Sequence, residues 1–173
     1  MKFYSGFSLK DELNLFQGYI KDTQYTISGF SYGAIKAFEE TKRVLSSGDR
    51  VDTLELFSPA FFQTKDEKFI KLQKRAYLKN KEQYLDKFLD SCFFPHAKME
   101  LQRCETTISE LEELLDYTWD IDDLNSIIRA GVSIEVYLGE KDQIIDVDGA
   151  YKFFKEFSTV TYIKDANHFL QIN

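Results

Sequence analysis

A serine between two glycines, in the segment Gly29-Phe30-Ser31-Tyr32-Gly33, separates a strand-like run that ends at Ser28 from a helical run that begins at Ala34. A G-x-S-x-G pattern in this context is typical of a nucleophile elbow, a tight strand-to-helix turn that presents a reactive serine. Glycine lets neighbouring backbone pass closely, and the helix N-terminus favours a developing negative charge. The segment, called the elbow below, predicts a nucleophile at Ser31; the alternative is an ordinary glycine-serine turn.

Strand-like and helical runs alternate along the chain and are interrupted once. The predicted strands are 2–5, 24–28, 51–57, 132–138 and 159–163, and the predicted helices are 9–21, 33–46 and 147–156. Residues from about 61 to 128 form a helical stretch with no convincing strand, called the cap below. Alternation implies parallel strands and right-handed crossovers, and 173 residues suffice for one compact domain. We expect a single α/β domain over 1–173, with about five parallel strands and a cap inserted at about 61–128.

The predicted strands alternate polar and apolar residues, whereas a parallel sheet covered on both faces is usually apolar throughout. Leu54 and Leu56 fall on one face of their strand, and Thr53 and Glu55 on the other. Crossovers that all step the same way place every helix on one face. The pattern predicts a sheet covered mainly on one face; the alternative is that Glu55 and Glu135 only lie at strand ends.

The amino-acid composition argues against several classes of function and location. The formal net charge of −7 argues against nucleic acid as a partner. No run of about 18 apolar residues occurs, so we expect no membrane span, and the N-terminus turns polar too early for a signal peptide. The two cysteines, Cys92 and Cys104, are expected to be reduced thiols in a cytoplasmic protein.

The base that would activate Ser31 has two candidates, because the chain contains two histidines. His168 follows the last predicted strand and falls at the sheet edge where Ser31 lies. His96 lies beside Pro95 in the cap and is better explained as a partly packed surface residue. His168 is therefore the predicted base.

The acid of a Ser-Asp-His arrangement is expected between Ser31 and His168 in the chain. Asp142 directly follows the strand 132–138, where it can hold the imidazole through its N–H. Asp146 and Asp148 are alternatives that better suit the first turn of the next helix. The three aspartates lack the register of a calcium-binding loop, so no metal is expected.

An oxyanion hole needs two converging N–H donors. One is expected from Tyr32, the residue after the nucleophile. The other is expected from Phe7, in the segment Ser5-Gly6-Phe7 that follows the first strand, here called the oxyanion loop. Its composition is also common in ordinary turns.

Several segments of the chain together carry a resemblance that is more specific than the elbow. They are Phe3–Phe7, Ser28–Ala37, Leu56–Pro59, Leu111–Tyr117, Gly131–Gly139, Lys141-Asp142 and Asn167–Gln171. Over nearly its whole length the chain resembles the α/β-hydrolases, and more narrowly the short pimeloyl-[acyl-carrier protein] methyl ester esterases of the BioV type, which act in biotin synthesis. Compared with the broader superfamily, the leading strands, one intermediate strand and a helix after His168 are missing. The resemblance implies that this trimmed fold is viable.

The resemblance also implies a reaction: hydrolysis of the methyl ester of pimeloyl-[acyl-carrier protein] to pimeloyl-[acyl-carrier protein] and methanol. Ser31 would attack the ester carbonyl, His168 would relay the proton, and Asp142 would hold His168. The N–H groups of Tyr32 and Phe7 would bind the oxyanion, and no cofactor would be needed. Two alternatives stay open: a generic carboxylesterase or thioesterase with the same triad, and a non-catalytic hydrolase-like binding module.

The cap offers two further candidate sites. Basic residues recur at helical spacing and would form one face of a helix that an acidic carrier protein could contact, the alternative being a solvated face. They are Lys68, Lys71, Arg75 and Lys79, with Phe69, Leu72, Ala76 and Tyr77 expected to pack beneath. Paired aromatics could line an acyl tunnel, although core packing is the alternative. They are Phe61, Phe62, Phe93 and Phe94.

Overall fold

The computed structural model describes residues 1–172, which form a five-stranded parallel sheet, a separate two-stranded pair and six α-helices. In chain order the elements are β1 (Lys2–Tyr4), β2 (Leu9–Lys10), a 3-10 helix (Glu12–Phe16), β3 (Thr26–Phe30), α1 (Tyr32–Ser46), β4 (Thr53–Phe57), α2 (Glu67–Lys79), α3 (Lys81–Phe93), β5 (Gln102–Arg103), α4 (Ile108–Asp116), α5 (Ile121–Arg129), β6 (Ser133–Gly139), α6 (Val147–Phe154) and β7 (Thr159–Ile163). The sheet order is β1-β3-β4-β6-β7, and every pair is parallel. The predicted five parallel strands are confirmed.

One face of the sheet carries the main hydrophobic core. Leu54, Leu56 and Val136 point from the central strands into this core. Phe38 of α1 and Phe154 of α6 meet them there, both fully buried. The α-helices that follow β3 and β6 therefore lie on the same face, as the alternation of polar and apolar residues predicts.

The opposite face is covered by irregular chain rather than by a helical layer. Near the carboxyl ends of the strands, Phe16 stacks on Phe57 with ring centroids 4.8 Å apart. Further back, Glu55 accepts hydrogen bonds from the Ser28 hydroxyl and the Lys21 N–H, each at 2.8 Å. Glu55 lies in the middle of β4, so the strand-end alternative is wrong. This face is therefore polar in the middle of the strands, where Glu55 is buried, and aromatic toward their carboxyl ends, where a smaller hydrophobic cluster forms.

The predicted helix over 9–21 is wrong. The segment contains β2 and the short 3-10 helix, and Asp11 between them adopts a left-handed φ of 64° that an α-helix does not allow. Its apolar spacing reflects the insertion of Phe16 into the second face of the sheet, where it is fully buried. Tertiary packing, not helical periodicity, places these apolar residues.

Residues 61–128 contain α2, α3, α4 and α5, but not all of them belong together. Helices α3 and α4 both pack against α2. Helix α5 instead packs against α1, where the Lys42 amine lies 2.6 Å from the Asp123 carboxylate. The expectation that this stretch holds no strand is wrong, because β5 pairs antiparallel with β2. That pair ties the middle of the cap to the segment after the oxyanion loop.

Within the described residues, no helix combines the length and the apolar character that crossing a bilayer requires.

Candidate active site

The elbow holds Ser31 in a strained backbone conformation at the junction of β3 and α1. Its φ is 54° and its ψ is −115°, outside the regions that non-glycine residues usually occupy. A Cβ atom on Gly33 would collide with the carbonyl oxygens of Tyr4 and Ser5. Glycine is therefore required at this position, and the same close approach packs the oxyanion loop against the elbow.

A buried chain of hydrogen bonds joins Ser31, His168 and Asp142. The Ser31 Oγ lies 3.0 Å from His168 Nε2, and His168 Nδ1 lies 2.6 Å from Asp142 Oδ2. Ser31 is 2% exposed and His168 is fully buried. The other Asp142 oxygen accepts the Ile144 and Ile145 N–H groups at 2.7 and 3.3 Å, which fixes the carboxylate. This arrangement can remove a proton from a serine hydroxyl and stabilise the resulting imidazolium.

The two alternative acids lie elsewhere. Asp146 caps α6 by accepting the Gly149 N–H at 3.1 Å, and its other oxygen accepts the Thr64 hydroxyl at 2.8 Å. These bonds, led by the one from Thr64, lower the pKa of Asp146. Asp148 is exposed in the first turn of α6. Of the three aspartates, the structure brings Asp142 to His168.

Two backbone N–H groups, one in the elbow and one in the oxyanion loop packed against it, have no hydrogen-bond partner among residues 1–172. Tyr32 begins α1, so its N–H lies in the first turn and has no partner within the helix. The Phe7 N–H donates to no residue between 1 and 172. Both groups predicted for an oxyanion hole are thus available for a ligand, and the contact between Gly33 and the oxyanion loop keeps them near each other.

Several solved structures share this backbone. The carboxylesterase CesB from Bacillus subtilis matches 85% of this chain with 54% of its own, at a TM-score of 0.58 and 14% identity. BioG from Haemophilus influenzae matches 97% of this chain with 87% of its own, at a TM-score of 0.59 and 13% identity. Est816, an N-acyl homoserine lactone degrading enzyme, matches 98% of this chain with 86% of its own, at a TM-score of 0.64 and 15% identity. The chain has an α/β-hydrolase fold.

No protein-family model and no curated protein sequence matches the chain. This chain spans about half the length of the B. subtilis carboxylesterases CesB and naproxen esterase, 54% of each. Identities this low establish the fold alone.

Asn167 holds the loop that carries His168, a role the sequence does not reveal. Its side-chain amide donates to the Phe93 carbonyl and to the Gln171 side chain, both at 2.8 Å. Its side-chain oxygen accepts the Phe169 and Gln171 N–H groups at 3.0 and 3.1 Å. The end of α3 is thereby tied to the loop. The only sequence signal was a polar residue between apolar ones, beside the histidine.

His96 also contacts this loop. One of its ring nitrogens lies 2.7 Å from the Asp165 carbonyl oxygen, and its side chain is half-buried. His96 takes no part in the hydrogen bonds that join Ser31, His168 and Asp142. This agrees with its interpretation as a partly packed surface residue.

An apolar cavity of about 340 Å³ lies between the cap and the loops that follow β1 and β6. Its apolar lining includes Phe7, Phe62, Phe69, Phe88, Leu114 and Ile144. Phe7 and Ile144 connect it to the site, because one carries a candidate oxyanion donor and the other bonds to Asp142. Two exposed lysines, Lys65 and Lys87, also line it. Such a cavity suits an acyl chain.

Of the four aromatics predicted to line a tunnel, only Phe62 lines this cavity. Phe61 packs against the Phe154 ring at 5.9 Å, and Phe93 packs against the Phe169 ring at 4.6 Å. Phe94 is 52% exposed. These three residues do not line this cavity, because neighbouring aromatics in the chain point to different layers of the fold.

The predicted basic face of α2 is exposed along its length. Its members Lys68, Lys71, Arg75 and Lys79 all face solvent. Leu72 does not pack beneath them as expected but is 51% exposed among them, and Ala76 is exposed as well. Tyr77 is buried and donates its hydroxyl to the Thr106 carbonyl at 2.9 Å. We call the set of Lys68, Lys71, Leu72, Arg75 and Lys79 the α2 surface.

Proposed function

We propose that the protein is a serine carboxylesterase in which Ser31 is the nucleophile. The observation that carries this proposal is the buried, continuous hydrogen-bond chain from Ser31 through His168 to Asp142, at 3.0 and 2.6 Å. It starts at a strained elbow next to two unpartnered backbone donors. A binding module would need no such chain, because strain and buried charge both cost stability.

The reaction proceeds in two halves. His168 Nε2 takes the Ser31 proton as the oxygen attacks the ester carbonyl, and Asp142 stabilises the imidazolium through Nδ1. The N–H groups of Tyr32 and Phe7 bind the oxyanion. The tetrahedral intermediate collapses, and His168 gives its proton to the departing alcohol. Water then attacks the acyl-serine, with His168 again as base, and releases the carboxylic acid.

We propose the methyl ester of pimeloyl-[acyl-carrier protein] as the substrate, and hence a cytoplasmic reaction in biotin synthesis. Support comes from the resemblance to the BioV type, which runs through both ends of the chain and the cap. The apolar cavity next to the site provides room for the acyl chain. Methanol is the leaving group and needs no pocket of its own.

The α2 surface supports the carrier-protein part of this proposal. Its four cations stand out in a chain of net charge −7, and of these the Lys71 amine pairs with Glu67 at 2.8 Å. The exposed Leu72 lies among the cations. A basic surface with an apolar centre complements an acidic protein, with the charges mainly raising the rate of encounter.

The test compares pimeloyl-[acyl-carrier protein] methyl ester with p-nitrophenyl acetate, for the wild type and for Ser31→Ala. We expect wild-type kcat/KM to be much higher for the carrier-linked ester, and Ser31→Ala to abolish both reactions. Equal use of both esters would leave the generic esterase as the better description. Full activity of Ser31→Ala would exclude every mechanism in which Ser31 is the nucleophile.

A further inference from the structure

A buried carboxyl group outside the triad contacts the oxyanion loop. Glu12, the first residue of the 3-10 helix, is 1% exposed. Its Oε1 accepts the Gly6 N–H at 2.6 Å. Its Oε2 is also buried and has no hydrogen-bond partner among residues 1–172. An apolar side chain would fill the same space without the cost of burying a carboxyl oxygen unpaired, so space filling alone does not account for a glutamate here.

The bond from Glu12 fixes one side of the loop, and a turn fixes the other. The Leu9 N–H donates to the Gly6 carbonyl at 3.2 Å, and Ser8 within this turn has a left-handed φ of 60°. In a trans peptide the N–H points opposite to the C=O. The Phe7 N–H, which shares its peptide plane with the Gly6 carbonyl, is therefore turned away from Leu9 and is left unpartnered.

The loop has little room to adjust in any other way. A Cβ atom on Gly6 would come within 2.7 Å of the Phe30 ring, so the loop backbone lies directly on the residue before Ser31. The same ring lies 4.9 Å from the imidazole of His168. The orientation of the Gly6 peptide groups is thus coupled to the elbow through van der Waals contact and to Glu12 through a hydrogen bond.

We propose that Glu12 is a positioning residue that holds the oxyanion loop so that the Phe7 N–H points at the developing oxyanion. The inference rests on the proposed function, because it requires Ser31 to be the nucleophile. Glu12 acts through the Gly6 N–H and does not touch the substrate.

The bond from Gly6 does not depend on the protonation of Glu12. Burial raises the pKa of this carboxyl, and the bond from Gly6 opposes that effect. Whether charged or neutral, the carboxyl keeps an oxygen that accepts the Gly6 N–H. Glutamine, which has the same shape and the same acceptor, is therefore the conservative replacement.

The experiment measures kcat and KM for p-nitrophenyl acetate, together with the inhibition constant of butylboronic acid. A boronic acid forms a tetrahedral adduct on a nucleophilic serine, and one of its oxygens occupies the oxyanion hole. For Glu12→Ala we expect kcat and the affinity for the boronic acid to fall together, each by about 10- to 100-fold, with little change in KM. Glu12→Gln should restore most of both.

The matched control is Glu55→Ala. Glu55 is also buried and also accepts a backbone N–H, that of Lys21, but it belongs to the second face of the sheet and does not contact the oxyanion loop. Glu55→Ala should lower the melting temperature and leave kcat and boronic acid affinity near wild type. Equal losses of both in Glu12→Ala and Glu55→Ala would overturn the inference, because general loosening would then explain them.

Other outcomes also decide the inference. If Glu12→Ala does not fold, Glu12→Asp withdraws the carboxyl by one methylene while keeping it polar, and should lower kcat and boronic acid affinity in the same proportion. A folded Glu12→Ala or Glu12→Asp protein with wild-type kcat and boronic acid affinity would overturn the inference. If the Glu12 variants behave like the wild type while Ser31→Ala abolishes hydrolysis, only the role of Glu12 is refuted. If Ser31→Ala stays active, the proposed function itself is refuted.

Discussion

His168 Nε2 meets Ser31 Oγ at 3.0 Å, although the two residues are 137 positions apart in the chain. The parallel sheet makes this contact possible. Ser31 follows β3, His168 follows β7, and the carboxyl ends of parallel strands meet at one edge. The site thus depends on the correct order of all five strands.

Replacing Asp142 by asparagine should abolish most of the activity. The amide would favour the wrong imidazole tautomer and would not stabilise the imidazolium, so we expect kcat to fall by about 10³- to 10⁴-fold. Steady-state kinetics on p-nitrophenyl acetate measures this loss. The control is Asp146→Asn, which keeps a side-chain oxygen able to cap α6 and should leave kcat unchanged. A kcat that falls more in Asp146→Asn than in Asp142→Asn would reverse the assignment of the acid.

Removing the Asn167 side chain should misplace His168 without removing it. Asn167→Ala loses the bond to the Phe93 carbonyl and both bonds accepted within the loop. A displacement of about 1 Å can cost 100-fold in rate, so we expect kcat to fall by about 10- to 100-fold. His96→Ala, which removes the contact between the His96 ring and the Asp165 carbonyl, should have a much smaller effect. Wild-type kcat in a folded Asn167→Ala protein would contradict this role.

Reversing charge on the α2 surface should separate the two esterase functions. In a triple variant, Lys68→Glu, Lys71→Glu and Arg75→Glu, we expect kcat/KM for the carrier-linked ester to fall about 10-fold or more, because charge complementarity sets the encounter rate. Hydrolysis of p-nitrophenyl acetate should not change. Added salt should reduce the wild-type rate on the carrier-linked ester, since it screens the same attraction.

The control for this variant reverses charge on another exposed helix, with Lys152→Glu and Lys155→Glu. Both residues are exposed at the end of α6. These changes alter the net charge but not the α2 surface, so the carrier-linked reaction should be little affected. If both variants lose the carrier-linked activity equally, the effect is one of net charge and the α2 surface is not the docking site.

The buried Glu55 should make stability depend on pH. Burial, and then the charge of Glu135, raise the pKa of Glu55 above its ordinary value of 4.5. The folded state then holds this proton more tightly than the unfolded state, so the free energy of unfolding falls as pH rises from about 4.5 through the raised pKa. Urea denaturation at several pH values measures this slope. Glu55→Gln should flatten it, and an unchanged slope would assign the pH dependence to other groups.

The local features of the site could be predicted from the sequence. The elbow needs only five consecutive residues between a strand and a helix, and the short-range pattern contains all of that information. The five parallel strands also follow from local alternation. His168 could be predicted as the base because the chain has two histidines and this one follows the last predicted strand. The sequence did not show its bonds to Ser31 and Asp142.

Features that join distant parts of the chain could not be predicted. The periodicity of residues 9–21 suggested a helix, because a sequence pattern does not show that Phe16 stacks on Phe57. The paired aromatics of the cap looked alike in sequence, yet Phe62 lines the cavity while Phe61 packs beneath it.

The sequence by itself determined the strand-to-helix turn that holds Ser31, the parallel direction of the five strands and the basic face of α2, because each depends on residues close together in the chain. Only the tertiary structure decided between Asp142 and its neighbours, and only it showed the bonds of Glu12 and Asn167. The physical reason is that a hydrogen bond has a range of about 3 Å, whereas its partners can lie anywhere in the sequence. Folding alone determines which of the possible partners meet.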